Sequence, residues 1–229
     1  MISKSIIINL VKSIRYSVLS LIFLAFLMTC TTTIVDEFRQ GETGIEDDQS
    51  IVLLGRRQSS DYETRADFVS CVGNRMAKGG GAINVIPEQQ FIDALFPWFE
   101  PRTAPLRTRD LEKLMSEELV AKKIGDFGIR YIIWLDGQTE TTDRMGSISC
   151  AIGPGGGGCF GFGSWEDDSN FDARVWDVNT FVSVGTVTTD STGQSYLPAL
   201  VIPIPLLARV EANACASMAI QLKQFVNGG

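Results

Sequence analysis

Apolar and polar positions divide the chain into stretches of different period. Tyr16–Met28 is almost unbroken apolar sequence, whereas residues 31–49 are polar and acidic with little periodicity. Ile51-Val52-Leu53-Leu54 is a short apolar run stopped by Gly55, the pattern of a buried strand. Phe68, Cys71, Val72 and Met76 then recur at helical spacing, with Asp61 and Thr64 as candidate caps and Gly79-Gly80-Gly81 as a stop. Ala82–Ile86 reads as the next strand. Pro87 opens a helix whose apolar face is Phe91, Ile92, Leu95 and Phe96. After an irregular, proline-rich crossing, Leu111, Leu114, Met115, Leu119, Val120 and Ile124 share a helical face, with Ser116 as cap of a second piece. Gly125 and Gly128 end that helix, and Tyr131–Leu135 is a third strand.

Beyond Leu135 the period changes. Residues 143–150 and 159–165 read as a hairpin across a glycine run, and 171–178 and 181–188 as two more strands joined at Asn179-Thr180. Residues 189–207 read as a loop. From Ala208, a last helix carries Val210, Ala214, Cys215, Met218, Ala219, Leu222 and Phe225. The order is strand–helix–strand–helix–strand, then antiparallel strands, then a C-terminal helix. It predicts an α/β fold, a single mixed-sheet α/β sandwich over residues 50–229.

The N-terminus reads as an address. Lys4, Lys12 and Arg15 precede the apolar run, which ends at Leu27-Met28-Thr29-Cys30. A basic start, an apolar segment too short to span a bilayer and this ending resemble a bacterial lipoprotein signal. The expectation is a signal peptide over 1–29, lipidation of Cys30 and a flexible tether over 30–49. Thr31 follows the cysteine where aspartate would favour inner-membrane retention, so the expected place is the outer membrane, on its periplasmic face. An uncleaved signal anchor is the alternative. Residues 1–29 hold three basic side chains and no acid, so their removal takes the formal charge from −7 to −10. Such a surface repels phosphates and argues against nucleic-acid binding.

Cysteine usage fits an oxidising compartment. Lipidating Cys30 leaves Cys71, Cys150, Cys159 and Cys215. Cys150 and Cys159 bracket a glycine-rich turn able to bring them opposite each other, and Cys71 and Cys215 are then the remaining pair. Four cysteines allow three connectivities. A metal or redox site is the alternative, without two-residue cysteine spacing or any histidine to support it.

The stretch Ala173-Arg174-Val175-Trp176-Asp177-Val178-Asn179-Thr180 has the form apolar-x-Asp-apolar-x-Thr in a strand. It resembles the α/β domain shared by the curli secretion channel protein and the outer-membrane lipoprotein activators of penicillin-binding proteins. In that pattern glycine often follows, where this chain has Phe181. Gly128-Ile129-Arg130-Tyr131-Ile132-Ile133 is similar to the family's helix-to-strand junction, and the likeness of pattern runs over roughly residues 50–225. The resemblance implies a non-enzymatic domain that docks onto envelope proteins or self-associates. It implies neither a pore nor a named partner.

Candidate chemistry is sparse. The absence of histidine removes Ser-His-Asp and Cys-His systems and His-ligated zinc. The glycine run lacks the lysine and hydroxyl of a phosphate loop. Glu166, Asp167, Asp168 and Asp172 offer oxygen ligands for calcium without EF-hand spacing, so a solvated acidic loop is the competing reading. Glu140, Asp143, Glu166 and Asp177 contain no obvious catalytic pair. No cofactor is called for. A bridge between Cys150 and Cys159 would make the loop a rigid tip carrying Phe160, Phe162 and Trp165, either a contact surface or aromatics packed on the domain. The expected function is a non-catalytic, lipid-anchored interaction or envelope-assembly module. A carboxylate-dependent enzyme acting on saccharide or peptide and a self-assembling homo-oligomer are the alternatives.

Overall fold

Ile51 and Leu53 point to one side of a sheet and Val52 and Leu54 to the other, as the two-residue strand repeat requires, and both sides are buried. The computed structural model of the chain describes residues 31–56, 63–100, 103, 105 and 108–229. Its elements are β1 (Thr31–Arg39), β2 (Ser50–Gly55), α1 (Ala66–Met76), β3 (Asn84–Ile86), α2 (Glu88–Ala94), α3 (Thr108–Met115), α4 (Glu118–Asp126), β4 (Ile129–Gly153), β5 (Gly156–Asp177), β6 (Val182–Val201) and α5 (Val210–Val226). The strands form one six-stranded mixed sheet ordered β1-β6-β5-β4-β2-β3. β2 runs parallel to β3 and β4, and the other neighbours are antiparallel. The expected α/β class with a mixed sheet is therefore what the chain forms.

Two apolar cores sandwich the sheet. Phe68, Val72 and Met76 of α1 and Ala214, Met218, Leu222 and Phe225 of α5 pack on Ile51, Tyr131, Ile133, Phe171 and Val175. The rings of Phe68 and Phe171 stack with centroids 3.6 Å apart. On the opposite face Phe91 of α2, Leu111 and Met115 of α3, and Val120 and Ile124 of α4 cover Val52, Leu54, Ile132 and Trp176. At about 25 cal/mol per Å2, these two layers supply the main stabilisation of the fold.

Several expectations are corrected. Residues 31–39 are not tether but strand: the β-branched run Thr31–Val35 pairs with β6, from Thr31 opposite Gly193 to Arg39 opposite Gly185. The stretch after it is fastened as well. The Tyr131 hydroxyl donates to the Gly44 carbonyl and accepts from the Gly44 N–H, both at 2.9 Å. Residues 189–201, expected as loop, continue β6. The separately predicted strands at 131–135 and 143–150 are one strand of 25 residues, and those at 159–165 and 171–178 are one of 22. Thr64 does not cap α1, since its hydroxyl donates to the Leu135 carbonyl, and Ser116 marks the break before α4 while bonding back to Lys113. Asp61, the signal segment and Cys30 lie outside the described residues.

Candidate interaction site on a long β-extension

β4, β5 and β6 run far past the helices. At about 3.3 Å per residue, the 25 residues of β4 reach roughly 80 Å, against a usual strand length of 3–10 residues. The polar stretch 136–142 stays extended because backbone pairing with 166–172, not side-chain burial, holds it. The hairpin turns tightly at Pro154-Gly155, where proline presets the backbone and glycine fits the corner. Beyond Val201 the chain folds back, and Pro203 and Leu206 pair with Ala199 and Tyr196.

Register sorts the side chains of this extension onto two faces. On one face Phe160 of β5 lies between Ser149 of β4 and Leu200 of β6, Phe162 between Ser147 and Pro198, and Ser164 between Met145 and Tyr196. The Phe162 and Tyr196 rings stand 6.0 Å apart on that face. Phe160 is 73% exposed and Leu200 74%, with Met145 and Phe162 also exposed. The opposite face carries Ile148, Ile152, Trp165, Leu197 and Val201. The three expected contact aromatics lie in β5, where the hairpin strand over 159–165 was expected, and Trp165 faces away from Phe160 and Phe162. Trp165 Nε1–H donates to Asp167 at 3.1 Å.

Glycine shapes the middle of the hairpin. Gly146 has φ +91°, and a Cβ there would lie 2.1 Å from the Phe162 carbonyl oxygen. Gly161 has φ +148°, and a Cβ would lie 2.2 Å from the Ser147 oxygen. Both positions therefore require glycine for the close approach of the two strands. Toward the tip a disulfide joins Cys150 to Cys159 across the pair, and a second joins Cys71 of α1 to Cys215 of α5. Both expected pairings are present.

The acidic residues do not gather. Strand alternation puts Glu166 and Asp168 on one face and Asp167 on the other, where Asp167 accepts from Thr141 Oγ1 at 2.7 Å. Among the described residues no group of three or more His, Cys, Asp or Glu side chains converges as metal ligands would. Like charges instead face each other across the hairpin, Glu140 opposite Asp168 and Asp143 opposite Glu166. A groove of about 690 Å3 between α1 and α2 holds Glu88 and Glu100, and Glu88 accepts the Gly55 N–H at 2.8 Å.

No protein-family model and no curated protein matches the chain. Among solved structures, similarity is found to the dodecamer of a single-substitution variant of PelC from Paraburkholderia phytofirmans, at 10% identity and TM-score 0.42, over 86% of this chain and 100% of that one. The PelC dodecamer from the same organism aligns at 12% identity and TM-score 0.40, over 85% and 97% of the respective chains.

Sequence reasoning missed one polar site at the body end of the hairpin. The buried Asp177 carboxylate accepts from Arg130 Nη1, from the Asn179 N–H at 2.7 Å and from the Thr180 N–H at 3.2 Å. It joins the junction around Arg130 to the strand end around Thr180 and builds the turn into β6. A strand aspartate before Asn-Thr was the available signal, but its partner lies 47 positions away. At the start of α1, the hydrogen bond from Arg65 pulls the exposed Asp67 carboxyl below its ordinary pKa, and the same bond raises that of Arg65.

Proposed function

We propose that this protein is a lipid-anchored envelope lipoprotein on the periplasmic face of the outer membrane, acting without catalysis as a protein–protein interaction or assembly module. The observation that supports this most directly is the β-extension. Its β4 strand is paired with β2 only from Ile129 to Leu135, so the outer edge of residues 143–153 has no strand neighbour among the described residues. Such an edge offers a row of N–H and C=O groups to another chain, the mode of recognition by strand addition. The lipobox-like ending at Cys30, the two disulfides and the pattern shared with the curli-channel and activator lipoproteins favour the same reading.

Self-assembly is the second reading, because an unpaired edge serves a second copy as well as a different partner. Affinity capture from detergent-solubilised envelope, paired with size exclusion of the full chain, separates the two. A defined partner or a defined oligomer is expected, weakened about tenfold by Ile152→Lys, which places a charge on the exposed end of the edge strand. Recovery of neither at any salt concentration would sink the proposal. Intact mass of the membrane-extracted protein tests the anchor: residues 30–229 plus acyl groups is expected, and an unlipidated full-length mass would refute it.

A further inference from the structure

We infer that the outer part of the β-extension is a second membrane contact, with the Phe160, Phe162 and Leu200 face lying in the interfacial layer of the bilayer that carries the N-terminal anchor. The inference rests on the anchored reading above and adds a surface to it.

Composition is the first ground. No Asp, Glu, Lys or Arg occurs in residues 145–165 or 194–208, although Arg144 and Glu166 stand immediately before and after the hairpin portion. The charged body therefore stops at one level along the strands, and everything beyond it is apolar or neutral. On one face of this outer part Met145, Phe160, Phe162 and Leu200 are exposed, and the exposed Ile204, whose N–H bonds to the Pro198 carbonyl at 3.0 Å, joins them. Contiguous exposed apolar surface of this kind marks an interaction site rather than a solvated one.

Chain direction decides for lipid. β1 is antiparallel to β6 with Thr31 opposite Gly193, so the backbone entering Thr31 comes from the side of the extension. Cys30 is one peptide away, within about 4 Å of Thr31 Cα along the chain. An anchor there meets the membrane at the level where the charge-free stretch of β6 begins, at Gln194. Trp165 and Tyr196 stand at that same level, Trp165 being opposite Ser195, and amphipathic rings are enriched at membrane–water boundaries.

The free edge of β4 limits the depth. Its outward N–H and C=O groups would go unsatisfied in hydrocarbon, so an individual copy lays a face in the interfacial layer and does not cross. The contact is apolar, with acidic residues just behind it. It therefore needs no anionic lipid and is insensitive to salt.

The test uses the full chain reconstituted in phosphatidylcholine vesicles with plain or brominated acyl chains, carrying Phe160→Trp, Leu200→Trp or, as a control at the far end of β1, Phe38→Trp. Burial of roughly 5–10 Å at the headgroup–acyl boundary should let brominated lipid lower the added emission of the first two variants about twofold and leave the control unchanged. Protein that fails to float with the vesicles overturns the anchor and this contact together. Floating protein whose added tryptophans are equally bright in both lipids overturns the contact alone. So does added emission shielded from acrylamide but not quenched by bromine, which would mean that a second copy or another protein covers the face.

Discussion

A buried carboxylate survives in a protein only when donors surround it, and Asp177 has three of them while only 3% exposed. Asp177→Ala would strand the Arg130 guanidinium and two backbone N–H groups, so a loss of about 3 kcal/mol is expected in denaturant unfolding. Phe181, four residues on, sits at φ +57°, in the left-handed region where a side chain costs about 1–2 kcal/mol. Phe181→Gly relieves that strain against the entropy glycine adds to the unfolded chain. A net gain of about 0.5–1 kcal/mol is expected by the same measurement. Asp67 has a depressed pKa in the folded state, so its contribution is present above the ordinary aspartate pKa and lost as pH falls through the folded value. Its exposure keeps the contribution under about 1 kcal/mol. Asp67→Asn should lower stability slightly at neutral pH, and the difference from the parent should shrink as pH falls below the ordinary aspartate range.

At the scale of elements, the hairpin is held differently from the body. The body strands are clamped between helices, whereas the outer hairpin has backbone pairing, a tight turn and the Cys150–Cys159 bond. Like charges at Glu140–Asp168 and Asp143–Glu166 work against it. Replacing both cysteines, Cys150→Ser with Cys159→Ser, should remove about 2–3 kcal/mol of local constraint. The loss should appear as faster amide exchange in residues 147–162 with little change in the global unfolding midpoint, because the tip opens as its own unit. An equal loss of protection in α1 and β2 would show instead that the hairpin and body unfold together.

Across the whole molecule, the Cys71–Cys215 bond ties the first long helix to the last over a separation of 144 residues. Closing so long a loop in the unfolded chain is worth about 3–5 kcal/mol. Cys71→Ser with Cys215→Ser should therefore lower the global midpoint, in contrast to the hairpin pair, and thermal unfolding of the two double variants side by side checks the distinction. The body also orients the extension. β1 sets Thr31 opposite Gly193 of β6, so the start of β1 lies level with the base of the extension, beyond which β4 has a free edge and an exposed apolar face.

Local pattern was enough for the body. The buried run Ile51–Leu54, the helical spacing of Phe68, Val72 and Met76, the break near Ser116 and the last helix from Val210 are legible because burial imposes a period on each segment by itself. The cysteine pairs were legible from a turn and from elimination. The extension was not, because residues 136–142, 166–170 and 189–195 are polar, and their strand state depends on neighbours remote in the chain. Backbone hydrogen bonds, which any side chain permits, carry those segments through. Thr31–Arg39 was hidden for the same reason, its partner lying beyond residue 184. The sequence alone determined which segments must be buried, and its glycine-rich turn favoured one of three cysteine connectivities that only the fold decides between. Tertiary pairing alone decided how far the strands run, which face Phe160 and Phe162 share, and that Arg130 reaches Asp177, because each depends on a register set between distant strands.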